Sequence, residues 1–88
     1  MNISDTLTER GKLYGKFADQ AHVSQAIKDA MSIGRNWSSL SPDKREALDM
    51  IANKLGRLLN GDPEYPDNFR DIAGYALLVA EALEDAQK

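Results

Sequence analysis

The sequence predicts an all-α protein, and three observations support that prediction. Alanine, leucine, glutamate and lysine are plentiful, runs of β-branched residues are absent, and every long segment repeats its apolar residues at helical spacing. The 88 residues include no cysteine, so neither disulfides nor thiolate-bound metal can hold the fold together. We therefore predict one domain, residues 1–88, that forms an oligomeric helical bundle with three main helices.

The first 16 residues predict a short helical arm. Thr6 and Glu9 have the spacing of a capping box, in which the hydroxyl and the carboxylate each accept a hydrogen bond from the other residue's backbone amide. A short helical turn is expected to begin there. Gly11 and Gly15 follow, and we expect them to loosen the arm because glycine is conformationally permissive.

Three stretches predict the main helices, since each has helically spaced apolar residues and ends near a helix-breaking residue. Ser41 and Pro42 mark one start, because serine can cap a helix and proline needs no amide partner at the first position. Gly34 and the pair Asn60 and Gly61 mark ends. The predicted helices cover about residues 17–32, 42–59 and 67–86, and the connecting loops cover 35–41 and 60–66.

The third predicted helix is apolar around most of its circumference. It contains the longest uncharged run of the sequence, Ile72 to Ala80, and apolar residues continue at Ala82 and Leu83. A helix with apolar residues on so many faces is usually buried in a protein interior. We therefore expect it to be the central helix, covered by its own chain and by further copies in a homo-oligomer.

Charge and hydropathy argue against several classes of protein. The net charge is −3 and no long basic stripe is present, which argues against dedicated DNA or RNA binding. The longest uncharged run has nine residues, whereas a membrane span needs about 20 apolar residues. The first residues also lack the apolar core of a signal peptide. The sequence thus predicts a soluble cytoplasmic protein without a membrane partner.

Two pairs of polar residues have the spacing of metal ligands on helices. Glu46 and Asp49 share one face of the second helix, and Asn68 and Asp71 share one face of the third. Two antiparallel helices would bring these oxygen ligands around one hard cation, Mg²⁺ or Mn²⁺. The alternative is that the acids are solvent-exposed residues near helix starts, where the helix dipole favours them.

A second candidate site lies in the sequence TERGKLYGKF. Arg10 and Lys16 belong to the densest basic group of the chain, with Tyr14 between them. Arginine beside an aromatic ring suits the phosphate and the base of a nucleotide. Lys54 and Arg57 are further candidate phosphate contacts. The alternatives are an arm that packs its apolar residues on a neighbouring copy, and a solvated helix flank for the last two cations.

One long motif resembles a known family. The stretch EALDMIANKLGRLLNGDPEYPDNFRDIAGYALL is similar to the two central helices of MazG-like all-α nucleotide pyrophosphohydrolases, whose pattern is E-x-x-E, a spacer, and E-x-x-D before an apolar helix. Nearly the whole chain resembles a family of small bacteriophage and prophage proteins with the motifs YG-x-F, EALDMI, K-x-x-R-x-L-N-G-D-P and D-I-A-G-Y. That second resemblance implies no particular activity.

The MazG-like resemblance implies a metal-dependent reaction on a nucleotide. Glu46 and Asp49 take the places of the first acidic pair, and Asn68 and Asp71 take those of the second. Mg²⁺ held by these residues would polarise a nucleoside triphosphate and orient a water for attack between the α and β phosphates. Aspartate at 49 and asparagine at 68 depart from the family pattern, so a weaker metal site is expected.

Three functions are therefore compatible with the sequence. The first is a phage-type nucleotide-handling protein, either a MazG-like pyrophosphohydrolase or a degenerate nucleotide-binding relative acting in the host cytoplasm. The second is a non-catalytic oligomeric sponge, meaning a protein that sequesters a host nucleotide signal as an anti-defence device. The third is a phage protein that docks on a host protein through its apolar third helix. Whether the protein is an enzyme stays open at this point.

Overall fold

The computed structural model describes residues 2–88 and is all-helical, as predicted. The four α-helices are α1 (Ile3–Tyr14), α2 (Phe17–Ser32), α3 (Pro42–Asn60) and α4 (Pro66–Ala86), and one 3₁₀ turn covers Trp37–Ser39. The three main helices agree with the predicted bounds to within one residue. The arm is longer and more regular than predicted, so the chain has four helices rather than three and a turn. In residues 2–88 no helix is both long and apolar enough to cross a membrane.

Helix α1 begins earlier than the sequence predicted. The side chain of Asn2 caps the helix, since its Oδ1 accepts a hydrogen bond from the Asp5 amide at 2.9 Å. The predicted cap residue, Thr6, lies inside the helix and donates its hydroxyl to the Asn2 carbonyl at 3.1 Å. The capping-box prediction was therefore wrong, because asparagine at the preceding turn already satisfies a free backbone amide.

The start of α3 follows the sequence only in part. Ser41 occupies the N-cap position and Pro42 the first turn, but the serine side chain caps no backbone amide. A hydrogen bond between the Ser41 side chain and the Asp43 carboxylate instead lowers the pKa of Asp43 below its ordinary value.

Helix α3, rather than α4, lies at the centre of the chain. Helices α2 and α4 both pack against it and run antiparallel to it. Small residues explain this arrangement, because Ala47, Ala52 and Gly56 are all buried and let neighbouring backbones approach closely. The expectation that α4 would be the central helix was wrong for a single chain, since α4 leaves Leu77 and Leu78 exposed by 56 % and 65 %.

Helices α2 and α3 approach each other closely at Gly56. A Cβ added to Gly56 would lie 2.5 Å from the Gln20 carbonyl oxygen and 3.3 Å from the Ser24 Cβ. One turn away along α3, the Ser24 hydroxyl donates a hydrogen bond to Asn53 Oδ1 at 2.8 Å. The two helices are therefore fixed at a distance that only glycine permits at position 56.

Helix α1 is attached to the rest of the chain through backbone contacts. The Asp62 amide donates a hydrogen bond to the Leu13 carbonyl at 2.9 Å. Gly15 has a φ of 79°, and a Cβ there would collide with the Asn60 carbonyl, while a Cβ on Gly61 would collide with the Leu13 carbonyl. None of the residues of α1 is buried. These backbone contacts of the arm all lie at its carboxyl end.

The chain exposes more surface than a compact protein of its size. Its accessible surface is 6348 Å². A monomeric globular protein of 9.7 kDa exposes about 5,100 Å², roughly 1,200 Å² less. The radius of gyration is 15.1 Å, whereas about 12 Å is typical of a domain of this length. Both quantities describe an elongated chain, 48 Å along its longest axis, with a large uncovered surface.

Candidate functional site

The residues predicted to bind metal are separated by the way α3 and α4 pair. Asp71 on α4 faces Lys54 on α3, and its Oδ2 lies 3.0 Å from the Lys54 Nζ. Glu46 precedes Lys54 by eight residues, about 12 Å along the helix axis. Asp49 precedes Lys54 by five residues and therefore points about 140° away around the helix. The carboxylate of Asp71 is thus bound to a lysine ammonium rather than grouped with the acids of α3.

The other predicted ligands occupy different environments. Glu46 is exposed and lines a groove of about 260 Å³ between α3 and α4, together with Tyr75 and Leu78. Asn68 is 1 % exposed, and its Nδ2 atom has no hydrogen-bond partner. Within residues 2–88, no three acidic or histidine side chains form a group that could hold a metal ion. The metal site therefore stays a prediction from the sequence.

The contact between Lys54 and Asp71 contributes to the stability of the chain. The Lys54 side chain is only 11 % exposed, and Asp71 is its one ion-pair partner in the described part of the chain. We expect Asp71→Asn to lower the free energy of unfolding by about 1–2 kcal/mol, because the substitution leaves a nearly buried ammonium without its counter-charge. Lys54→Met should cost much less, since it replaces the charge with an apolar side chain. Urea denaturation of both variants measures the difference.

A basic cleft forms where α1, α2 and α3 meet. Its volume is about 430 Å³. The cations that line it come from three places in the sequence: Arg10 from α1, Lys16 from the link before α2, and Arg57 from the last turns of α3. The remaining lining residues are apolar, small or uncharged, namely Leu7, Gly11, Gly15, Phe17 and Gln20. The structure thus brings together three of the five residues that the sequence marked as phosphate contacts.

The other two predicted phosphate contacts lie outside the lining of this cleft. Lys54 is buried against Asp71, as described above. Tyr14 lies behind the arginines: the guanidinium carbon of Arg10 is 5.1 Å from the centre of its ring, and that of Arg57 is 4.7 Å away. Both arginines therefore make cation–π contacts with one aromatic ring. Tyr14 thus orients two of the three cations of the cleft.

The ring of Tyr65 packs against the ring of Tyr14. The rings of Tyr14 and Tyr65 meet edge to face with their centres 6.1 Å apart. The Tyr65 hydroxyl donates a hydrogen bond to Asp67 Oδ2 at 2.8 Å, and this bond raises the pKa of Tyr65 above its ordinary value. The loop between α3 and α4 thus holds the ring on which Arg10 and Arg57 rest.

The cleft is free of negative charge. No acidic residue lines it. Among residues 2–88, neither Arg10, Lys16 nor Arg57 takes part in an ion pair, whereas Lys12 on the same helix pairs with Glu9 at 3.5 Å. In a chain whose net charge is −3, three unpaired cations in one concave site form a local positive potential.

Several cleft residues were not singled out from the sequence. Leu7 shares one face of α1 with Arg10, because the two residues are three positions apart. That spacing would have identified Leu7 once the arm was taken as a continuous helix. A smaller hollow of about 160 Å³ adjoins the cleft at Phe17 and Arg57. It adds polar side chains that no local pattern indicates, Ser24, Gln25 and Asn53.

Comparisons with protein-family models, with curated proteins and with solved structures gave no match to this chain. The resemblance to MazG-like pyrophosphohydrolases and to phage proteins therefore stays a prediction.

Proposed function

We propose that this protein is a non-catalytic, homo-oligomeric binding protein that captures a phosphorylated nucleotide in the basic cleft. One observation supports this proposal above the others: Arg10, Lys16 and Arg57 line a single cleft, and none of them has an acidic partner in the described part of the chain. Cations grouped without counter-charge repel one another, and an anionic ligand relieves that repulsion. The protein would act as a sponge, which keeps its ligand intact.

The two arginines are suited to phosphate. A guanidinium group presents planar pairs of N–H donors that bind two oxygens of a phosphate at once. Arg10 and Arg57 are held against the Tyr14 ring, so less side-chain entropy is lost when they bind. Lys16 adds a third charge at the same cleft. We assign these three residues to the phosphate groups of the ligand.

The apolar part of the cleft is suited to a base. Phe17 is 79 % exposed beside the cations, and Leu7 adds a second apolar wall. Bases stack on exposed aromatic rings, and this contact is tolerant of base identity. A volume of about 430 Å³ lies within the range of sites that hold small molecules. The neighbouring hollow is lined by Gln25, whose amide we assign as a contact for the edge of the base.

Capture is favoured over cleavage by what surrounds the cleft. Hydrolysis needs a group that activates water, such as a carboxylate or a metal ion held by carboxylates. The lining of the cleft contains no carboxylate, and Asp71 is bound to Lys54. Metal-dependent cleavage by Glu46, Asp49 and Asp71, with Asn68 in support and Mg²⁺ or Mn²⁺ as the ion, is the alternative that the sequence resemblance implies.

Assembly belongs to the same proposal. The chain exposes roughly 1,200 Å² more than a compact monomer of its mass. A standard protein interface takes about 800 Å² from each partner. The uncovered surface is therefore sufficient for a stable contact with a second copy.

The test is recovery of bound ligand. The protein is incubated with a panel of nucleoside triphosphates and cyclic nucleotide signals, with and without Mn²⁺, then washed and heat-denatured so that chromatography identifies what is released. We expect an intact nucleotide, and we expect Arg57→Ala to weaken its capture about 20-fold by removing a charge-assisted contact. Arg35→Ala is the matched control, because Arg35 is exposed and lies outside the cleft.

The other outcomes are equally informative. Release of a monophosphate and pyrophosphate, lost in Glu46→Gln, would establish the hydrolase instead. If Arg35→Ala weakens capture as much as Arg57→Ala, binding depends on overall charge and not on the cleft. If no nucleotide is bound or cleaved, both nucleotide functions fail, and docking on a host protein is the remaining proposal.

A further inference from the structure

The outer face of α4 has the features of a helix–helix interface. It points away from α3 and carries Arg70, Gly74, Leu77 and Glu81 at spacings of four, three and four residues. This is the spacing of the seam between two paired helices. Leu78 flanks the seam, and a shallow, open hollow of about 430 Å³ lies between these side chains. Two large apolar side chains, Leu77 and Leu78, are more than half exposed there.

Gly74 has no role within its own chain. A Cβ added at this position would meet nothing within 4 Å, so neither close packing nor backbone conformation requires glycine there. Glycine inside a helix costs about 1 kcal/mol relative to alanine. The absent side chain does, however, leave a depression on the outer face of α4, next to the projecting side chain of Leu77.

We infer that the outer face of α4 pairs with the same face of a second copy of this chain, antiparallel and about a two-fold axis. The inference rests on the assembly proposed above and assigns its interface. In an antiparallel pair of identical helices, residue numbers increase in one copy as they decrease in the other. Residues that lie opposite each other therefore have numbers that add up to one constant value. Gly74 then faces Leu77 of the second copy, so that each leucine fills the depression at the other copy's glycine.

The same register pairs opposite charges. Arg70 and Glu81 lie at the two ends of the seam. Their residue numbers add up to the same value as those of Gly74 and Leu77, so the same register places them opposite each other. Arg70 of each copy therefore faces Glu81 of the other, twice in one dimer. A two-fold interface must be complementary to itself, and this face is complementary in both shape and charge. A parallel pair would instead place Arg70 against Arg70 and Glu81 against Glu81.

The length of the seam is also defined. The next layer outwards would place Asp67 opposite Glu84 of the second copy, and two acids directly opposed are unfavourable. The helices therefore diverge beyond Arg70 and Glu81. The twelve residues from Arg70 to Glu81 span about 16 Å, or three turns of helix.

Disulfide cross-linking tests the register directly, because the sequence has no cysteine of its own. In the double variant Arg70→Cys/Glu81→Cys, each new cysteine faces its counterpart in the other copy, so we expect most of the protein to run as a covalent dimer on a non-reducing gel. The two cysteines of one chain are about 16 Å apart along the helix and cannot bond each other. Each single variant, whose two copies of the cysteine are equally far apart, should stay uncrosslinked.

Sedimentation tests the interface without cysteines. We expect the wild type to be a dimer or a larger symmetric assembly, and Leu77→Glu to weaken that assembly about 100-fold, since it places a charge in the seam. Ile33→Glu is the matched control: Ile33 is an exposed apolar residue at the end of α2, outside the seam, and its substitution should leave assembly unchanged.

Each contrary result has a distinct meaning. A monomeric wild type at micromolar concentration overturns both the assembly and its interface. An assembled wild type whose double cysteine variant fails to cross-link, or whose single variants cross-link, overturns the antiparallel α4 interface and leaves the proposed assembly standing. If Leu77→Glu stays assembled, the α4 interface is likewise overturned and the proposed assembly stands. Failure of the protein to capture a nucleotide would not contradict the assembly or its α4 interface, because the seam shares no residue with the basic cleft.

Discussion

Gly56→Leu is expected to lower the free energy of unfolding by about 3 kcal/mol. Gly56 lies on the central helix, where a Cβ would be 2.5 Å from the Gln20 carbonyl oxygen. A backbone atom of a packed helix cannot move aside as the end of a flexible side chain can, so α2 and α3 must separate. Overpacking of this kind costs about 1–3 kcal/mol even for smaller insertions. Urea denaturation at a fixed protein concentration measures the loss, since assembly makes stability depend on concentration.

Gly11→Leu is the matched control for that substitution. Gly11 is also a helical glycine, but a Cβ added there would meet nothing within 4 Å. Leucine at this position should leave the free energy of unfolding unchanged or raise it by about 0.5–1 kcal/mol through its better helix propensity. Equal losses in both variants would show that the contact between α2 and α3 is not the cause.

Gly61→Ala is expected to weaken nucleotide capture about 100-fold while α2, α3 and α4 stay folded. A Cβ on Gly61 would collide with the backbone of Leu13 and Tyr14, which is where α1 is attached. The arm must then move away, and it takes Arg10 and the apolar wall at Leu7 with it. The loss exceeds that of Arg57→Ala because one substitution removes charged and apolar contacts together.

Two measurements on Gly61→Ala separate loss of the arm from general unfolding. Trypsin should cut at Arg10 and Lys12 faster than in the wild type, because a released α1 frays and becomes accessible. Circular dichroism should show the melting of the three main helices nearly unchanged. Gly34→Ala, at the end of α2, is the control and should keep both capture and protease resistance. Full capture by Gly61→Ala would show that the arm is not part of the site.

The bounds of the three main helices followed from the sequence because their signals are local. Pro42 and Pro66 each stand in the first turn of a helix, and Gly61 ends α3. The central helix was assigned wrongly because apolar periodicity shows how much of a helix is apolar, not how closely its neighbours can approach. Small side chains determine which helix is central, because Ala52 and Gly56 allow neighbouring helices to pack closely against α3. The signal was present, but it lay in residue size rather than hydropathy.

The candidate sites also differ in whether they depend on local sequence or on the packing of helices. Arg10 and Lys16 were found because they are close in sequence, and the structure places them in one cleft. Whether the predicted metal ligands meet depends on how α3 and α4 are aligned along each other. The spacing of residues within one helix does not predict that alignment. The alignment brings Asp71 to Lys54, so four residues with correct local spacing do not form one group.

The attachment of α1 links ligand affinity to the opening of the arm. No residue of α1 is buried, so the arm detaches at a far lower free-energy cost than global unfolding requires. A nucleotide held between α1 and the other helices bridges two parts that would otherwise separate. By thermodynamic reciprocity, the factor by which the attached arm tightens nucleotide binding equals the factor by which a bound nucleotide shifts the equilibrium of the arm towards the attached state. Under the proposed function, the nucleotide supplies the packing partner that α1 lacks within its own chain, and ligand affinity and attachment of the arm depend on one coupling free energy.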